Sequence, residues 1–274
     1  MMKKILFAGD THGVLSTIKI LLREAKKQEC DAIFQLGDFG YWEHTKEGVF
    51  FLDQVSKAAK QTGIPIYFLD GNHDKTSLLL AMYDRRDADG FIQLADHVKY
   101  SPRGHRWSWE GCRFISLGGA YSVDKAWRLY EEKKISRQIS HANQYRPEGK
   151  KISTDTSGRL WFPEEEMTDI DMDNFLMDKS KVDIMLAHDK PRASNPDWNR
   201  KDFPECLPNQ MRLQKAVTTL QPSLYLHGHL HYPYVDQIRC GNDGKFTTVR
   251  GLNADGEKGT CMVLNVSEYA NYLK

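Results

Sequence analysis

The chain has 274 residues, 40% of them hydrophobic and 27% charged, with a formal net charge of +1. That length suits one large domain or two small ones, and the near-zero charge excludes any global attraction to nucleic acid or to an anionic membrane, so an anionic ligand has to be recognised locally. Five cysteines, an odd number with no CxxC pair, predict buried thiols in a reducing cytoplasm and exclude a disulfide framework or a structural zinc knuckle.

The opening MMKKILFAGD has a basic start and an apolar run, but Asp10 ends that run short of the roughly 7–15 residues of a signal-peptide core. No later stretch approaches the roughly 18 apolar residues of a membrane span, so a cytoplasmic protein with no membrane partner is expected. Ile5–Ala8 is continuously apolar, the pattern of a strand buried on both faces. Leu15, Ile18, Leu21, Leu22 and Ala25 then fall at helical spacing. Ala32–Leu36 predicts the next strand, Val49 to Ala59 the next helix, Ile64–Leu69 a third strand, and a further helix begins near Lys75. This alternation predicts right-handed βαβ units and a mainly parallel sheet. Ligands of such sheets bind beyond the carboxyl ends of the strands. Asp10, Asp38 and Asn72 lie just past such ends.

From about residue 90 the rhythm changes to short strands over Phe91–Leu94, His97–Tyr100, His105–Trp109 and Arg113–Leu117, with a turn at Glu110–Gly111. Trp107 and Trp109 alternate onto one face, which predicts core. The segment 118–163 is polar and weak in apolar period; between 120 and 160 it holds nine Lys/Arg against five Asp/Glu. It is expected to be an insertion near the active site within one domain spanning 1–274. A helix over Pro163–Met177 follows, with Glu164–Glu166 at its positive end. Val182–Ala187 returns to the buried-strand pattern and leads to His188. Asp189–Pro208, with four prolines, predicts a long loop rimming the site. A helix over Asn209–Leu220, a strand over Ser223–Leu226, a turn at Gly241–Gly244 and strands over Phe246–Arg250 and Thr260–Val266 complete the chain.

Five blocks recur at these strand ends in fixed order: Gly-Asp-Thr-His-Gly at 9–13, Gly-Asp at 37–38, Gly-Asn-His-Asp at 71–74, His188, and His-Gly-His-Leu-His at 227–231. They gather Asp10, His12, Asp38, Asn72, His188, His229 and His231 at one sheet edge. Seven oxygen and nitrogen donors are too many for one cation and suit two, with a carboxylate such as Asp38 shared between them. A strand-end turn points Asp10 and His12 at one ion, and alternation puts His229 and His231 on the same side. His227 is read as supporting the turn, and His97, His105 and His141, with no motif around them, as structural.

The order D-x-H, G-D, G-N-H-D, H and G-H-x-H, intact from residue 9 to 231, resembles the calcineurin-like metallophosphoesterase superfamily, in particular its small stand-alone bacterial and phage members. The resemblance implies a four-layer α/β/β/α sandwich of two mixed sheets flanked by helices, with two metal ions (Mn²⁺, Fe²⁺/Fe³⁺ or Zn²⁺) between the sheets. It implies Asp10, His12 and His231 on the first ion, Asn72, His188 and His229 on the second, and Asp38 bridging. His73 would be the outer histidine that protonates the leaving oxygen, with Asp74 either orienting it or capping the next helix. The segment Gly118 to Asp124 with Arg128 is similar to one that borders the metal site in the small members, and Arg128 is a candidate phosphate contact alongside Asn72 and His73.

Gly-Asp-Phe-Gly replaces the Asp-Arg-Gly form of serine/threonine protein phosphatases, so their phosphate-binding arginine is missing. The expected activity is a phosphodiesterase for small, including cyclic, nucleotides, acting by in-line attack of a metal-bound hydroxide. The rivals are a phosphomonoesterase or dinucleotide polyphosphate hydrolase, a nuclease, which the charge disfavours, and a non-catalytic module on the same fold. Loss of a ligand or of His73 would favour the last, and all are present.

Overall fold

The computed structural model describes residues 3–42, 45–195, 203–241 and 244–273. Two six-stranded sheets stack face to face. The first runs from β1 (Lys4–Ala8) through β2 (Ala32–Leu36) and β3 (Ile66–Leu69), with β4 (Ile92–Ala95) and β5 (Val98–Tyr100). The second holds β6 (Arg106–Trp109), β7 (Cys112–Leu117), β8 (Ile184–Ala187), β9 (Leu224–His227), β10 (Tyr234–Arg239) and β11 (Phe246–Gly251). The chain returns to the first sheet with β12 (Cys261–Asn265), giving orders β12-β1-β2-β3-β5-β4 and β10-β11-β9-β8-β7-β6. In each sheet the inner strands are parallel and both edge strands antiparallel.

Side-chain alternation explains the layers. In β1, Ile5 and Phe7 join the core between the sheets, with Phe34, Leu36, Phe114, Ile184, Leu186 and Leu226. Leu6 and Ala8 face the other way, onto α1 (Leu15–Lys27) and α2 (Lys46–Thr62). On the outer face of the second sheet, Ile115, Met185, Ala187 and Tyr225 pack on Met172 of α5 (Asp169–Phe175) and on Leu213, Ala216 and Val217 of α6 (Leu207–Leu220). Because both faces of each sheet are covered, Ile5–Ala8 of β1 and the whole of β3 and β8 are continuously apolar, as the sequence pattern requires. The result is a four-layer α/β/β/α sandwich. Trp107 and Trp109 do belong to the central core, where Trp107 stacks on Phe34 and Phe114 at centroid distances of 5.5 and 5.2 Å. The five cysteines are free, and four are buried. No helix among the described residues is long and apolar enough to cross a membrane.

Several elements depart from expectation. The helix read over Pro163–Met177 starts only at Asp169, where Thr168 and Asp171 form a reciprocal capping box. Glu164–Glu166 therefore precede it, and Glu165 is buried with an oxygen accepting from the Ser122 N–H at 3.3 Å. The segment 118–163 contains a 19-residue helix, α4 (Lys125–Asn143), that the sequence reading passed over. The helix expected near Lys75 is present as the short α3 (Thr76–Leu80), whereas an unexpected α7 (Val266–Tyr272) follows β12, capped by the Asn265 side chain, which accepts from the Glu268 N–H at 3.3 Å. Of the predicted loop after Asp189, residues 196–202 lie outside the described residues, as do 242–243 of the predicted turn.

Candidate metal centre

Every strand that carries a block delivers it at its carboxyl end: β1 to Asp10 and His12, β2 to Asp38, β3 to Asn72 and His73, β8 to His188, and β9 to His229 and His231. Register explains the convergence, since β1, β2 and β3 run parallel in one sheet and β8 and β9 in the other. The backbone is bent to aim these groups. His12, Asp38, His229 and His231 all have positive φ, at 43°, 54°, 62° and 49°. Non-glycine residues rarely hold that region, and clusters of them mark functional sites whose surroundings over-determine the backbone. Glycines clear the space between blocks. A Cβ on Gly71 would collide with the Asp38 carboxylate and the His188 ring, and one on Gly228 with the Asp10 carboxylate.

The two aspartates are held alike. Asp10 Oδ1 accepts from the His229 N–H at 2.9 Å, and Asp38 Oδ1 from the His73 N–H at 2.7 Å. Each Oδ2 is left to face the imidazoles. Asp10 Oδ2 lies 2.9 Å from His231 Nε2 and 3.9 Å from His12 Nε2. Asp38 Oδ2 lies 3.5 Å from His12 Nε2, 3.4 Å from His188 Nε2 and 3.9 Å from His73 Nε2. His188 donates its Nδ1–H to the Leu36 carbonyl at 2.8 Å, so Nε2 presents its lone pair to the centre, 3.1 Å from Asn72 Oδ1. His12 is anchored the same way, with Nδ1 3.0 Å from both oxygens of Asp255. An imidazole tied at one nitrogen to a carbonyl or carboxylate, with the other nitrogen aimed inward, is the usual posture of a metal ligand.

The electrostatics agree. Burial works against charge on His12 and His188, yet Asp38 and Asp10 outweigh it and push them up to about 9 and about 10. Burial raises Asp38, but His188 and His73 hold its carboxyl well below the usual range. Two buried carboxylates thus draw positive charge to one place, the field that a divalent cation answers while displacing the protons. Three donor groups have atoms within 4.8 Å of one another: Asp10, His12 and His231; Asp38, His188 and His229; and His12, Asp38 and His73. The first two fit a pair of adjacent cations. The third is compromised, because Arg128 Nη2 lies 2.7 and 2.6 Å from the two ring nitrogens of His73. A guanidinium only donates and repels a second cation at the same ring.

The remaining candidates divide. Asp74 neither contacts the His73 ring through any hydrogen bond among the described residues nor caps α3. Its buried carboxylate accepts the N–H groups of Phe39, Gly40, Tyr41 and Gly71 at 2.7 to 3.1 Å, pinning the loop after Asp38 to the loop after β3. Burial and the Asp38 charge push its carboxyl up to about 7. Arg128 does reach the centre, but as a buried group shared among Asp124, His73 and the Leu160 carbonyl. His227 is buried, its Nδ1–H donating to the Gly228 carbonyl and its Nε2 accepting from the Tyr234 hydroxyl at 2.7 Å; burial lowers it to about 4. It therefore supports the turn.

Sequence reasoning missed Asp255, which lies outside every block, and Ser122, whose hydroxyl accepts from the Asn72 amide at 3.0 Å and so directs Asn72 Oδ1 inward. It also missed Trp42, whose indole N–H donates to the His73 carbonyl. Only Ser122 carried a signal, from its place in the Gly118–Asp124 segment.

No curated protein matches the chain in sequence. Among solved structures, TT1561 of Thermus thermophilus superposes with a TM-score of 0.54 at 14% identity, over 97% of this chain and 100% of that one. A dimetal phosphatase from Danio rerio superposes with a TM-score of 0.52 at 13% identity, over 94% and 91%. At these identities the likeness is one of fold. The sequence profile of the calcineurin-like phosphoesterases matches residues 3–233, which takes in all five blocks. The chain belongs to the calcineurin-like phosphoesterase family, metal-binding hydrolases of phosphate esters.

Proposed function

We propose that this protein is a binuclear-metal-dependent phosphodiesterase acting on small, including cyclic, nucleotides. The observation that carries the reading is Asp38: one buried carboxylate oxygen faces His12 on one side and His188 on the other, at 3.5 and 3.4 Å, so one side chain can serve two cations. Asp10, His12 and His231 would hold the first ion, and Asn72, His188 and His229 the second. Two divalent ions held by these residues would supply charge neutralisation at the phosphoryl oxygens and acidify a water for the attack. Asn72 adds a neutral oxygen, which limits the negative charge placed beside an anionic substrate.

His73 serves the leaving group. Its backbone N–H is fixed by Asp38, and its ring is held by Arg128. The guanidinium can only donate and meets both ring nitrogens, so this contact favours the neutral ring. To serve as general acid His73 takes up a proton, and the imidazolium passes it to the departing oxygen. A diester is favoured over a monoester by charge. Arg128, in contact with His73, is already paired with Asp124 at 2.9 Å, so it offers little charge to a second phosphate negative charge. Arg159 belongs to the adjoining cavity and not to the ligand cluster. With Mn²⁺ added, turnover of bis-p-nitrophenyl phosphate should exceed that of p-nitrophenyl phosphate; the reverse ranking makes the protein a monoesterase.

A further inference from the structure

His73, Arg128 and Asp124 also line a cavity of about 370 Å³, with Trp42, Trp127, Arg159, Leu160 and Phe162. That volume is in the range of small-molecule sites. Among its aromatic residues Trp127 is left open, whereas the Lys75 ammonium sits 4.9 Å from the Phe162 ring centroid. Trp127 is 61% exposed and stacks on no other ring among the described residues. Arg159 is exposed and makes no side-chain ion pair among them. Trp42 also lines the cavity, fixed by its indole hydrogen bond to the His73 carbonyl and by the close approach of its ring to Gly13.

The walls are held in place by buried polar contacts. Glu132 of α4 is 5% exposed, and one of its oxygens accepts the N–H groups of Arg159, Leu160 and Trp161 at 2.8, 2.7 and 3.1 Å. Arg128, one helical turn earlier, donates to the Leu160 carbonyl at 3.2 Å. The Lys75 ammonium donates to the Gly158 carbonyl, tying the same return segment to the chain just after His73. A helix whose buried residues are Arg128 and Glu132 gains little from apolar packing. What its contacts accomplish is to set Trp127 and Arg159 around the space that adjoins His73.

We infer that this cavity is the seat of the leaving nucleoside, its base lying against Trp127 and Trp42 and an anionic substituent on it meeting Arg159. The inference rests on the diesterase reading for the identity of the leaving side. Flat heteroaromatic rings suit the pocket because stacking needs only a π-face and desolvated apolar walls, while a rim guanidinium adds a charge-dependent increment.

The test is calorimetric titration of the Mn²⁺-loaded full chain with adenosine, which has no phosphate to engage a metal, and with adenosine 5′-monophosphate. Saturable adenosine binding is expected, weakened about tenfold in Trp127→Ala and within about threefold of the parent in Trp127→Phe. Arg159→Ala should weaken the monophosphate about threefold and leave adenosine unchanged. Absence of adenosine binding, or equal binding by the parent and Trp127→Ala, overturns the inference even if bis-p-nitrophenyl phosphate is hydrolysed. Trp127-dependent adenosine binding without diester turnover sustains the nucleoside seat and defeats the diesterase reading instead.

Discussion

The strand-end edge and the α4 insertion face each other across His73, and they are built on opposite terms. At the edge, short turns leave parallel strands whose positions are set by apolar cores above and below, so each ligand is placed by backbone geometry. In the insertion, the described contacts are polar and long in sequence: Glu132 reaches 159–161, Arg128 reaches His73 and Leu160, and Lys75 reaches Gly158. The first arrangement gives a rigid centre that tolerates strained φ angles. The second gives a wall tied to the centre through Arg128 and Lys75, and substrate choice is expected to reside there.

Removing the shared carboxylate should separate the two regions most sharply. Asp38→Ala deletes the one oxygen that faces both donor groups and the acceptor that fixes the His73 backbone. We expect loss of metal, measured by elemental analysis after desalting, and a fall in kcat of more than about 10³-fold, since the charge neutralisation lost amounts to several kcal/mol. Unchanged metal content would refute the bridging role. His73→Ala stands at the boundary. Both ions should remain, and kcat should fall about 10²–10⁴-fold, more for poor leaving groups than for nitrophenol. Loss of metal in that variant would make His73 a ligand and remove the distinction drawn from Arg128.

A smaller effect is expected from Asp255→Asn, which keeps an acceptor for His12 but removes its charge. Metal affinity should fall about 10–100-fold with the fold unchanged by circular dichroism. This residue also shows why the sequence was only partly legible. Four of the five blocks announce themselves because strand, glycine and ligand occur within a few residues, and the glycines have a job, as at Gly71 and Gly228, that leaves no room for a side chain. His188 is marked only by the buried strand before it. Asp255 reaches His12 from 243 positions away, through a turn whose Asp255 N–H donates to the Asp10 carbonyl at 2.9 Å; no local pattern encodes that. The helix α4 was missed for a related reason. Apolar periodicity is the record of burial against a hydrophobic core, and α4 buries an arginine and a glutamate instead. Its charges read as solvent-facing until the return segment is folded against them. The role of Asp74 was not legible because its partners are backbone N–H groups of Gly71 and of the loop after Asp38, which carry no side-chain signature.

Glu132→Gln is the gentlest change and the one that bears most directly on the insertion. The carboxylate oxygen accepts three N–H groups at once, and the amide keeps an acceptor of the same shape while losing the charge that strengthens those bonds. A cost of about 1–2 kcal/mol is expected, and it should be local: hydrogen exchange should quicken at 156–162 and along α4 while the amides of β1, β2 and β9 keep their protection. Metal content should match the parent, because none of the proposed ligands lies in that segment. If KM for a dinucleotide rises while kcat on bis-p-nitrophenyl phosphate holds, the wall acts on substrate selection and the centre on chemistry. If exchange instead quickens uniformly, α4 is part of the global folding unit, and the contrast between a rigid edge and a separately held wall fails.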